Sequence, residues 1–178
     1  MTHEPRPLIL SLDTLEAICQ KQVTLDESIC ASRGITPDEF ANDLHTKRYV
    51  AMVVEAGETI NETKTFKYWS NGKCDPKKLL EEAIDWLHFY ASLLMTDHPK
   101  ASARRVEYER ALFEQDTLFL QNEKLDRLYL CLMQSDRNAK MFAAWSIILE
   151  WFGYTETDII GMYEHKQGIN YRRIMEAY

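Results

Sequence analysis

The sequence predicts an all-α fold, a bundle of about five to seven helices. Three observations lead there. Glycine and proline are sparse, at 6 and 5 of 178 residues, which disfavours a turn-rich β fold. No run of five or more residues alternates apolar with polar outside helical windows, so no strand competes. Apolar residues instead recur at helical spacing between recognisable capping residues.

Residues 1–10 read as a loose tail. Ser11 then caps a helix carrying Leu12, Leu15, Ile18, Cys19, Leu25 and Ile29, which should end near Arg33 with Gly34 beyond it. Thr36-Pro37 restarts a helix that is expected to run, with a break, through Thr63. Residues 64–75 hold Phe66, Tyr68, Trp69 and an Asn-Gly pair, and read as a loop with side chains to bury. Asp75-Pro76 opens the next helix, through about Met95. After a polar connector (96–102), a long helical stretch from about Ala103 to Gln134 has imperfect spacing, so a break is expected within it. Ser135 is placed to cap a helix through Phe152, closed by Gly153. Thr155 with Asp158 forms a capping box, and Tyr154 with Ile159 a hydrophobic staple, for a last helix expected to end near Gly168. Residues 169–178 then form a tail. No repeat, low-complexity tract or boundary divides the chain, which reads as one domain over 1–178.

The chemistry concentrates in Val54 to Phe89. Glu55-x-x-Glu58 and Glu82-x-x-Asp85 are each spaced so that, on a helix, both carboxylates share a face. Taken singly, such a pair is usually a solvated face. Two pairs on consecutive helices, each interrupting an apolar stripe, favour a functional cluster. Carboxylates on the inward side of a helix are costly to desolvate unless a cation compensates them. Four of them converging on one spot would form a hard-oxygen cage for Mg²⁺, with positions left for water and phosphate oxygens.

Bulk properties narrow the partners. A net charge of −7 argues against electrostatic binding to nucleic acid or to an anionic membrane surface. No apolar run of 18 residues exists to span a membrane. The four cysteines show no C-x-x-C and no zinc spacing with histidine, which reads as reduced thiols and a cytoplasmic setting. Met1 to Arg6 lacks the basic-then-apolar pattern of a secretory leader.

These motifs are familiar. Val54-Glu55-Ala56-Gly57-Glu58, Asn61-Glu62, Phe66-Lys67-Tyr68-Trp69-Ser70, Leu80-Glu81-Glu82-Ala83-Ile84-Asp85 and Leu87-His88-Phe89 resemble the dimeric all-α dUTPases. That family lies within the all-α nucleoside-triphosphate pyrophosphatase superfamily, whose mark is E-x-x-E followed by E-x-x-D. Gln22-x-x-Leu25-Asp26-x-x-Ile29 resembles the family's first helix, and Lys166-x-x-x-Asn170-x-x-Arg173 its C-terminal phosphate motif. Trp86 departs from the pattern, standing where relatives commonly carry a small residue, and would reshape the pocket wall.

The resemblance implies a homodimer that hydrolyses dUTP to dUMP and pyrophosphate with Mg²⁺. Glu55, Glu58, Glu82 and Asp85 would hold the metal, and Glu55, or Glu58 beside it, would take a proton from the attacking water. Lys166, Asn170 and Arg173 would bind phosphates, a solvated basic chain end being the alternative. Gln22, Asp26 and Phe89 would read the base and sugar, although periodicity alone favours exposed surface for Gln22 and Asp26 and the alternative for Phe89 is core packing. Trp69 would close the same pocket or serve as core, and His88 would support the pocket or be a structural histidine. Two rival functions remain: a pyrophosphatase of the same superfamily acting on dCTP or a modified nucleotide, and a non-catalytic helical regulator that binds a protein partner.

Overall fold

The computed structural model describes residues 8–96, 112–134 and 138–176. Among them there is no strand, in keeping with the all-α prediction. Helix α1 spans Leu12–Arg33, α2 Pro37–Ala41, α3 His45–Thr63 and α4 Pro76–Thr96. Helical residues 112–120 form α5, followed by α6 (Leu125–Gln134), α7 (Asn138–Trp151) and α8 (Glu156–Met175).

The caps explain most boundaries. The Ser11 hydroxyl accepts from Thr14 N–H at the start of α1. Gly34 ends that helix with φ 66°, a conformation glycine adopts without steric cost. Reciprocal capping boxes open α2 (Thr36 with Glu39) and α8 (Thr155 with Asp158). Asp75 Oδ1 accepts from the backbone N–H groups of Lys77 and Lys78 at the start of α4. Lys64, in the left-handed conformation with φ 59°, stops α3.

Helix α4 organises the packing. It lies most extensively against α3 and also touches α1, α7 and α8. Its core face carries Trp86, which is fully buried and stacks on Tyr90 and on Trp145 of α7, with ring centroids 4.9 and 5.6 Å apart. Phe142 continues the stack, and Trp145 Nε1–H donates to Ala83 O at 3.1 Å. Met52, Ala56 and Ile60 bring the inner face of α3 into the same core.

Several expectations change. Trp86 is not a pocket-wall residue but the centre of the aromatic core. The last helix does not stop near Gly168: it runs to Met175, and Gly168 is absent from the positive-φ glycines, which are Gly34 and Gly153. Within the described part of 103–134 the expected break falls at residues 121–124, between α5 and α6. Residues 8–10 are not loose: Leu10 is fully buried, and Ile9 N–H donates to Ser146 Oγ at 2.8 Å. Residues 1–7, 97–111 and 135–137, with the Ser135 cap among them, lie outside the described residues.

Because Trp86 is fully buried and Trp69 is 66% exposed, their removal should differ sharply. Trp86→Ala is expected to cost about 3–5 kcal/mol, roughly 10 °C in Tm, and Trp69→Ala within about 0.5 kcal/mol. Thermal denaturation followed by circular dichroism checks this, and similar losses for both would refute the core assignment.

Candidate active site

The acidic stripe of α3 and that of α4 meet at one end of a cleft of about 760 Å³. Glu55, Glu82 and Asp85 each offer a carboxylate oxygen, and these oxygens all lie within 4.8 Å of one another. All three side chains are partly buried. Glu58 does not join this group. It is exposed at the rim, though its charge still acts on Glu55 and Glu82. Three carboxylates therefore converge where four were expected. The buried row of α3 runs through Met52, Ala56, Thr59 and Ile60, and Glu55 lies partly buried beside it while Glu58 falls on the exposed flank.

Crowding sets the electrostatics. The Glu55 carboxyl is pushed up to about 7, first by burial and then by the charges of Asp85, Glu58 and Glu82, with Lys166 opposing. Glu82 is raised by burial and by Glu58 and Asp85. Asp85 is raised by burial, against the hydrogen bond and charge of Lys166 and the charge of Arg173. The Lys166 ammonium sits 2.5 Å from Asp85 Oδ2.

Lys166, Asn170 and Arg173 all line the cleft. Their i, i+4, i+7 spacing now has a cause, since α8 continues past them and holds them on one face. Beyond the acids, the cleft passes Phe89 and Ser92 of α4 to Gln22, Leu25, Asp26 and Ile29 of α1, with Phe40 and Leu44 closing it. Gln22 is buried, and its Nε2 donates to Asp26 Oδ1 at 2.8 Å. Burial raises the Asp26 carboxyl, against hydrogen bonds from Ser92 and Gln22 and the charge of Arg48. His88 also lines the cleft while largely buried, with Nδ1 2.7 Å from Gln22 Oε1 and its ring stacked on Tyr163 at 4.4 Å. Burial, with Lys166 contributing, lowers the His88 imidazole to about 4, so it is neutral near pH 7.

Trp69 is the predicted site residue that the structure leaves outside. It is exposed on the 64–75 loop, edge-on to Phe66 and Tyr68, and does not line the cleft. Conversely, sequence reasoning passed over Arg48. This residue is buried on α3, its Nη1 donating to Ser92 Oγ at 2.9 Å and Thr96 Oγ1 at 2.7 Å, and its Nη2 to Phe40 O at 2.8 Å. Its guanidinium also lies 3.8 Å from the Phe40 ring centroid. Arg48 thus ties α2 to α4 and shapes the closed end of the cleft. The signal was present: Arg48, Met52 and Glu55 follow one another at helical spacing on the inward face of α3.

An acidic cluster on two packed helices, a basic face on a third and a mixed apolar and amide recess define an all-α protein shaped for an elongated, anionic ligand. The family comparison makes this specific. A family model described as dUTPase matches residues 14–178, and the chain belongs to this all-α dUTPase family. Membership carries dUTP diphosphatase activity on a nucleotide substrate. Neither a curated protein nor a solved structure matches the chain.

The raised Glu55 carboxyl has a consequence for stability. Its contribution is fully present below the ordinary value near 4.5 and is lost as pH rises through about 7. In chelator, Glu55→Gln is therefore expected to raise Tm at about pH 8 and leave it little changed at about pH 4. The gain should be about 2–4 °C, on the order of 1 kcal/mol once screening of a half-exposed group is allowed for. Paired thermal melts at the two pH values test this, and a lowered Tm at the higher pH would contradict it.

Proposed function

We propose that the cleft hydrolyses dUTP to dUMP and pyrophosphate, with Mg²⁺ held by Glu55, Glu82 and Asp85 and with Glu58 completing the set from the rim. The single observation carrying this is the trio of carboxylate oxygens from two helices within 4.8 Å, with Lys166 paired to Asp85 and Arg173 lining the same cleft. Hard oxygen donors of that kind suit Mg²⁺ and leave room for water. Bound there, the metal would offset the crowded negative charge, polarise phosphate oxygens and make a bound water more acidic.

The chain's own residues supply the rest. Glu55, partly buried on α3 and crowded by Asp85 and Glu82, is placed to accept the proton of the attacking water. Lys166, Asn170 and Arg173 orient the phosphate oxygens and neutralise charge as it shifts towards the leaving pyrophosphate. The base and sugar enter the recess between Phe89 on one side and Gln22 and Asp26 on the other. His88 lines the cleft beside them, with its Nδ1 turned to Gln22 and its Nε2 buried. Neither a different nucleotide nor a purely regulatory role is favoured by any feature of the cleft.

A homodimer belongs to the same proposal. Its support is the exposed Val50 and Val54 one turn apart on α3, at 55% and 50%, an apolar stripe that a second copy would cover. No helix among the described residues is long and apolar enough to cross a membrane.

The test is pyrophosphate release from each dNTP with and without Mg²⁺. Release is expected fastest from dUTP and absent without the metal. Glu55→Gln should lower kcat by about 10²–10⁴-fold. Arg173→Ala should lower kcat/KM by roughly tenfold or more, as loss of a charged hydrogen bond predicts. Undiminished turnover in chelator, or fastest release from another dNTP, would defeat the proposal.

A further inference from the structure

We infer that His88 is a positioning residue that sets the polarity of the base-reading edge, so that the recess accepts uracil and rejects cytosine. This rests on the proposed placement of the base beside Gln22 and Asp26.

The argument starts from Asp26. A carboxylate only accepts, so the Gln22 group bonded to Asp26 Oδ1 at 2.8 Å is the amide nitrogen. The amide oxygen then faces the other way, 2.7 Å from His88 Nδ1 and 3.3 Å from the Tyr163 hydroxyl. An amide oxygen accepts only, so Nδ1 carries the imidazole proton. His88 Nε2, buried without a hydrogen-bond partner, is then the bare ring nitrogen. Asp26 is held from its far side as well. Ser92 Oγ accepts from Arg48 Nη1 at 2.9 Å, which leaves the serine hydroxyl hydrogen for Asp26.

A directed line of donors results: His88 to Gln22, then Gln22 to Asp26. It uses up the Gln22 oxygen and one of the two amide hydrogens. What remains for a ligand in the cleft is one amide N–H and, beside it, acceptor capacity on Asp26. Uracil presents a carbonyl oxygen next to N3–H, which answers a donor–acceptor pair. Cytosine presents an amino group next to a bare N3, which sets donor against donor and lone pair against carboxylate. Without the His88 donor, the Gln22 oxygen keeps only the longer contact from the Tyr163 hydroxyl, so the amide N–H and the Asp26 acceptor are held less firmly in register for the base. Thymine shares the uracil edge, so the relay has no bearing on rejection of dTTP.

The test compares kcat/KM for dUTP, dCTP and dTTP in the full-length protein. His88→Phe keeps a ring against Tyr163 but removes the donor. It is expected to lower the dUTP:dCTP ratio about tenfold or more, mainly through KM, because a mispaired buried polar group is what separates such substrates. The dUTP:dTTP ratio should stay put, which a general loosening of the recess would not allow. His88→Asn, which keeps an N–H near the Nδ1 position, should recover much of the dUTP:dCTP ratio. An unchanged dUTP:dCTP ratio in His88→Phe, or an equal fall in both ratios with no recovery in His88→Asn, overturns the inference. Should the variants not fold, ¹⁵N spectra of the wild-type imidazole decide: the Nδ1–H tautomer is expected near neutral pH, and the Nε2–H tautomer overturns it. A wild type without dUTP turnover would instead sink the functional reading beneath it, whereas intact turnover with an unaltered ratio sinks the relay alone.

Discussion

Three partly buried carboxylates with oxygens within 4.8 Å of one another repel, and the bundle is built so that the repulsion cannot relieve itself by opening. The acids sit on α3 and α4, the pair with the most extensive packing in the described structure. Directly behind Asp85, the stacked rings of Trp86, Tyr90 and Trp145 fill the core with stiff, fully buried side chains. Separating α3 from α4 to spread the charges would open that core, and cavities there cost more than the repulsion does. The strain therefore appears as raised carboxyl titrations rather than as displaced helices.

One helix thus serves two chemistries. On α4, Asp85 and Phe89 line the cleft and Glu82 joins the acidic group at its end, while Trp86 and Tyr90 face the core. A step of one residue turns the chain by roughly 100°, which is why the indole next to Asp85 lies away from any ligand. Trp86 is therefore a packing residue of the aromatic core. Helix α8 plays the complementary part. Its continuation to Met175 carries Arg173 onto the same face as Lys166, so a chain with net charge −7 still offers two cations where anionic oxygens would lie.

Most of this was legible in the residues. Caps at Ser11, Thr36, Asp75 and Thr155 marked helix starts, and paired acids marked the cluster. The failures have physical causes. Gly168 looked like a helix stop, but a stopping glycine works by taking positive φ, as Gly34 and Gly153 do, and nothing after Gly168 demands such a turn. Arg172 and Arg173 suit the last turn of a continuing helix, where cations complement the dipole, and were a readable signal. Trp69 stands apart from the cleft, on a loop with no periodicity to say which way a side chain points. Arg48 was hidden by the habit of assigning charged residues to the surface; its partners Ser92, Thr96 and Phe40 O come from other elements and cannot be read from a single helix. Residues 8–10 read as tail because three apolar residues are too few to show a period, yet Leu10 enters the core and Ile9 N–H reaches Ser146 of α7.

Lys166 joins the two ends of the cleft. Its charge favours the ionised forms of Glu55 and Asp85, and the same charge disfavours protonation of His88. Both effects have one sign: a cation in the middle stabilises anions and penalises further cations. A protonated His88 would still donate from Nδ1, but it would add a second N–H on a buried nitrogen that has no partner, at the cost of leaving that donor unsatisfied. The lysine thus protects the neutral ring that orients Gln22 while it shields the acids that crowd around Glu55. A phosphate chain drawing Lys166 away from Asp85 would weaken the support of that acid, at the point where, in the proposed reaction, a divalent cation takes over the compensation. The two halves of the cleft therefore share one electrostatic centre, and α8, which holds it, is as much a part of the base recess as of the acidic end.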